Sequence, residues 1–211
     1  ATPSYIQEEV VEGAAYTCYT MWHWAHGNTA GQIRAHAQNA GTAEWLSGLL
    51  ASKNPDEVDF ALEAMAKRKL HDVTSMARAM SAASTCSMEG FGILIGHIAA
   101  AHPKPKDRYA AYQELVDQVE AKRRVYLLEQ LAKQKEAPPL SFFEHIAGQL
   151  PKVERFYELQ LFFNLADKHQ AQSGPLFTAV SKMLAHDNFF FSRRAHAFLK
   201  GKKLPAEVLS A

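Results

Sequence analysis

Histidine is the side chain that most often ligates metals and moves protons near neutral pH, and ten of them lie in this chain. His23 and His26 have the most chemical potential. Their i,i+3 spacing sets both imidazoles on one helix face, with Tyr19, Trp22 and Trp24 near enough to wall off water. Two imidazoles make half of a metal or haem site, and the other half is not legible. No Glu has a His three residues on, as a di-iron bundle requires, and HExxH is absent. His23, His26, His71, His102, His169 and His186 all fall where helices are expected to end. An imidazole that can become cationic complements the helix dipole there and bonds free carbonyls. His97, among Ile93, Leu94, Ile95 and Ile98, is expected in the core, hydrogen-bonded to a carbonyl, a Tyr or a Ser.

Two further patterns touch on chemistry. Cys86 lies between Thr85 and Ser87 at an expected helix start, where the dipole could activate a thiolate, but no His and acid can be assigned to it. Gly90-Phe91-Gly92 lacks the following Lys-Ser or Lys-Thr of a phosphate loop and reads as close helix packing. The strongest charge signal is Phe189 to Lys203, which holds Arg193, Arg194, Lys200, Lys202 and Lys203 and no acid. Such a stretch suits an anionic partner: nucleic acid, a membrane surface or an acidic protein. The competing reading is an amphipathic last helix, with its Phe side chains in the core and its cations solvated. Lys122-Arg123-Arg124 extends the patch if its helix lies alongside.

Helix punctuation positions these residues. Thr2-Pro3 opens an expected long first helix, with Ile6, Val10, Gly13, Thr17, Met21 and Trp24 on one stripe up to Gly27. Capping boxes are read at Thr29, Asn54 and Ser141, and Asp72 is a further cap. Ser84 to His102 is apolar all round, which predicts a central helix in preference to a buried strand. Asp107 to about Glu136 predicts the longest helix, with Glu120–Arg124 and Glu129–Lys133 as i,i+4 pairs. Pro138-Pro139 ends it. Segments Phe142–Leu150, Lys152–His169 and Pro175–Lys200 follow, the last broken near Asp187-Asn188, with Gly201 as C-cap.

The expectation is an all-α, single multi-helix domain over 1–211 with eight to ten helices. Points of subdivision are offered near 103–106 and 137–140, and a solenoid-like helix-pair rhythm runs from Trp45 to Met80. The composition, 47% hydrophobic and 21% charged, is that of a soluble globular chain, and cytoplasmic residence is favoured. No apolar run approaches the ~20 residues of a membrane span. Cys18 and Cys86 cannot build a disulfide framework. Starting at Ala1, the chain is expected to be a processed or excised piece.

Net charge is +1, but residues 1–60 carry seven acids against Arg34 and Lys53, and residues 151–211 carry nine Lys and Arg against five acids. The favoured reading is therefore a non-enzymatic protein-binding module, an adaptor, chaperone or assembly component, with no cofactor. A nucleic-acid-binding protein using the basic C-terminal helix ranks second. A metal- or haem-dependent enzyme centred on His23 and His26 ranks third.

Overall fold

A computed structural model describes residues 13–206, and among these every regular element is helical. There are twelve α-helices: α1 Ala14–His26, α2 Asn28–Ala40, α3 Ala43–Leu50, α4 Pro55–Arg68, α5 Val73–Ser81, α6 Met88–Ala101, α7 Pro105–Gln118, α8 Ala121–Lys133, α9 Leu140–Gln149, α10 Phe156–Lys168, α11 Gly174–Ser181 and α12 Phe189–Leu199. Two 3-10 turns, Leu150–Lys152 and Lys182–Ala185, complete them.

The count exceeds eight to ten because the expected spans 107–136 and 175–200 are each divided into two helices. The span from Asp107 to Glu136 breaks at Val119 and Glu120, whose extended backbone separates α7 from α8. That break turns Arg124 away from Glu120 and onto Glu158, while Arg123 takes Glu120. Glu129 likewise accepts from the Tyr157 hydroxyl instead of meeting Lys133. The expected first helix does not run through Gly13, which sits in the left-handed region at φ 83° and starts α1 one residue later. Its proposed opening at Thr2-Pro3 lies outside the described residues.

Capping divides in the same way. Asn54 and Asp72 cap α4 and α5 through their side chains, as expected, and Ser87 caps α6. The boxes at Thr29 and Ser141 are not used, since α2 already begins at Asn28 and α9 at Leu140, which leaves both residues inside helices. Thr42, not singled out from sequence, caps α3. Ser84 to His102 is helical only from Met88, the preceding residues forming turns, and no strand is found there.

Helix packing has a simple order. α2, α4, α6, α8, α10 and α12 are successive neighbours in one row, and α7, α9 and α11 form a second row that α3 and α5 begin, interrupted between α5 and α7. Stacked helix pairs therefore extend well beyond the 45–80 section where sequence showed their rhythm. Side-chain hydrogen bonds link neighbouring pairs. They span 29 residues at Arg34–Glu63, 34 at Arg124–Glu158, 28 at Tyr157–Glu129 and 35 at Lys202–Asp167. In such an array each unit buries its apolar side only against its neighbours.

The interior between the rows is aromatic. Tyr109 of α7 meets Phe142 of α9, Phe142 and Phe143 lie against one another, and Phe143 reaches Phe162 of α10. Phe163 then stacks on Phe198 of α12 with ring centroids 4.8 Å apart. Each ring is fully buried, and each such burial is worth roughly 1.5–3 kcal/mol. α6 lies in the middle as predicted. Gly90 lets it approach α4 so closely that a Cβ there would overlap the Asp59 carboxylate. That carboxylate accepts from the Ser87 amide at 3.0 Å and so ties α4 to the start of α6.

Candidate functional site

α1 is unlike every other helix. Its sequence holds no Asp, Glu, Lys or Arg, yet none of its described side chains is buried: Tyr16, Tyr19, Met21, Trp22 and Trp24 are all exposed, with Trp22 at 56% and Trp24 at 66%. It packs on α2, which in turn packs on α4. The apolar stripe read through Thr17, Met21 and Trp24 thus finds no core. α2 adds exposed Ile33 and is held to α4 mainly by polar contacts. Arg34 and Gln38 both donate to Glu63, at 2.7 and 2.9 Å.

His23 and His26 lie in the last turn of α1, and both are exposed. The Trp22 ring stacks on His26 at 5.0 Å and Tyr19 lies 4.1 Å from His23, so the aromatics do share a face with the imidazoles. They do not enclose them. His26 Nδ1 lies 3.1 Å from the Trp22 carbonyl, the backbone role expected of a terminal histidine. Among the described residues no three His, Cys, Asp or Glu side chains converge as a metal site requires.

Among the described residues, the five C-terminal cations divide into paired and unpaired groups. Arg194 and Lys202 both reach Asp167, at 3.5 and 2.7 Å, and lie over the rings of Phe163 and Phe198. Arg193, Lys200 and Lys203 are exposed, Arg193 above the ring of Phe189. The Phe run is split as well. Phe191 and Phe198 enter the core, whereas Phe189 and Phe190 stay at 65% and 61% exposure. Arg123 and Arg124 do not extend this surface. Arg123 donates to the Cys86 carbonyl, and Arg124 grips Glu158, which is only 4% exposed.

Two interior groups complete the chemistry. Cys86 is buried, its thiol bonds the Ala83 carbonyl, and burial pushes its pKa up despite nearby Arg123. The start of α6 therefore does not activate it as a thiolate. His97 is 2% exposed, as expected, and of the anticipated partners the Leu70 backbone approaches it without meeting hydrogen-bond geometry. His97 faces His71, with ring centroids 4.9 Å apart, and burial together with His71 holds it below the ordinary imidazole range.

Two clefts remain. One of about 350 Å³ is lined by Asp117, Arg124, Gln149 and Lys152. Most of its polar groups are already matched: Asp117 takes His145 and Gln149, and Arg124 takes Glu158. The other, about 370 Å³, lies between α2, α3 and α4 with Ala37, Trp45, Leu49 and Phe60 as walls and Asp56 and Glu57 at its rim. Sequence reasoning missed it, although the exposed acids after Asn54-Pro55 and the isolated Trp45 were its visible signals. No helix among the described residues is long and apolar enough to cross a membrane. Comparison with protein-family models, curated proteins and solved structures finds nothing similar to this chain.

Proposed function

We propose that this chain is a non-enzymatic α-helical protein-binding module that presents α1 to a protein partner. The observation that carries the reading is the uncharged helix with Tyr16, Tyr19, Met21, Trp22 and Trp24 exposed together. A helix face left open to water is ordinarily polar. The outward face of α1 instead carries large aromatic side chains, the types that anchor protein interfaces. Desolvating them on docking removes no charge from water, so the gain from burial is not offset by a charged-group penalty.

Nucleic-acid binding through α12 ranks behind this reading, because Asp167 already matches two of the five cations there. A histidine-centred enzyme ranks third, since His23 and His26 stand in water without a third ligand among the described residues.

The test is a photo-crosslinking amino acid in place of Tyr19, in the full chain within cells of its own host. The control position is Ala110, exposed on α7. Discrete adducts at position 19 that resist nuclease, yield to protease and vanish in Trp22→Ala/Trp24→Ala support the proposal. Equal labelling at both positions, or nuclease-sensitive adducts, sinks it.

A further inference from the structure

The cleft between α2, α3 and α4 and the outer face of α12 complement one another in charge, and both carry apolar side chains. The cleft has apolar walls, Ala37, Trp45, Leu49 and Phe60, and an acidic rim. Arg34 also lines it, but its charge is met by Glu63 at 2.7 Å. Asp56 and Glu57 have no ion-pair partner among the described residues, so the rim is net negative. On α12, Phe189, Arg193 and His196 follow each other at steps of four and three, with Phe190 beside them and Lys200 at the C-cap. All five are exposed, while Phe191, Ala195, Phe198 and Leu199 take the buried side. Arg193 and Lys200 are likewise without an ion-pair partner among the described residues.

We infer that copies of this chain associate head to tail, the outer face of α12 of one copy seated in the α2–α4 cleft of the next. Phe189 and Phe190 enter the apolar trough, and Arg193 and Lys200 meet Asp56 and Glu57. One molecule does not satisfy itself this way. α2 and α12 stand at opposite ends of the row α2, α4, α6, α8, α10, α12. The chain's own terminal segments are poor occupants on charge, since residues 1–12 carry Glu8, Glu9 and Glu12 and residues 207–211 carry Glu207, none with a Lys or Arg to offer the acidic rim. Because the two surfaces differ, the contact is heterologous and propagates into a ring or an open chain. This inference deepens the protein-binding reading by naming one partner, but it rests on α12 and the cleft, not on α1.

Sedimentation velocity of the full chain over a range of concentrations tests it with two variants. Asp56→Lys/Glu57→Lys spoils the cleft and leaves α12 intact; Phe189→Ser/Arg193→Glu does the reverse. The wild type is expected to grow in mass with concentration and to shrink when salt is raised. Each variant alone loses association by about 30-fold or more, the scale of a lost anchor. An equal mixture of the two forms a heterodimer that grows no further, because one good cleft meets one good α12. All substituted residues are exposed, and unchanged circular dichroism confirms their folding. A wild type that stays monomeric throughout overturns the inference while leaving α1 available to a foreign partner. So does a variant that dimerises by itself, or a mixture that remains monomeric.

Discussion

The α7–α12 interior and helix α1 are built from similar residues and put them to opposite use. In the interior, Phe142, Phe143, Phe162, Phe163 and Phe198 are sealed between two rows of helices. In α1, Tyr16, Tyr19, Trp22 and Trp24 meet solvent along the whole helix. Composition does not separate the two; neighbours do. Among the described residues, α10 has α8 on one side and α12 on the other, while α1 has α2. Aromatic side chains thus stabilise the fold where a second row exists, and where none exists they form a surface with stored capacity for burial.

The sharpest way to break this contrast is truncation at each end of it. Phe162→Ala is expected to destabilise by about 3–5 kcal/mol in urea unfolding, and Trp22→Ala by less than about 0.5 kcal/mol. Comparable losses at the two sites would mean that α1 is part of the core. Ion pairs divide in the same manner. Arg124→Ala leaves Glu158 buried without its guanidinium and is expected to cost about 3 kcal/mol, whereas Arg34→Ala, at a half-exposed pair, costs about 1 kcal/mol or less. Glycines give a smaller signal of opposite sign. Gly90→Ala forces the Asp59 carboxylate off the Ser87 amide and loses roughly 1–2 kcal/mol. Gly31→Ala, with nothing near its Cβ in exposed α2, gains about 0.5–1 kcal/mol by helix propensity.

The buried His97 adds a dependence on pH. Its pKa is held down in the folded chain, so between that value and the unfolded value of about 6.5 the unfolded state binds more protons. Stability is therefore complete above about pH 6.5 and falls as pH drops through the unfolded pKa toward the folded one. The unfolding constant rises by at most about tenfold per pH unit from this group. The ionisable groups on helices packed against α6 bear on it elsewhere: Asp59 at Ser87, Arg123 at Cys86, Tyr112 at the Ile95 carbonyl and Arg108 at the His102 carbonyl. His71 alone faces the imidazole. Urea titrations at pH 7.5 and 5.5 are expected to show this loss in the wild type and a smaller one in His97→Phe. An identical loss in both would assign the acid sensitivity to other groups.

The helical class was legible because Asn54, Asp72 and the Pro pairs punctuate a three-and-four pattern that local backbone chemistry enforces. The break at Val119–Glu120 was not legible. Glu120 and Arg124 form a good i,i+4 pair on paper, and only the buried Glu158, 34 residues on, makes the alternative better. The same limit hid the stacked rows, because their stacking is carried by contacts such as Arg194–Asn164 and not by a repeated residue. Among candidate site residues, the charges of α12 could be counted from sequence but not their partners, so Arg194 and Lys202 looked as free as Arg193. Aromatic periodicity gave equal weight to Trp24 and Phe198, since a pattern reports a face and not what lies opposite it.

All three tryptophans of the chain, Trp22, Trp24 and Trp45, lie on the surfaces assigned to partners. Iodide quenching of tryptophan emission in the dilute, isolated chain is thus the most direct measure of whether those surfaces are open. The account predicts red-shifted emission that iodide quenches nearly as well as it quenches free indole. Blue-shifted emission that iodide cannot reach, in a chain shown to be monomeric, would contradict it.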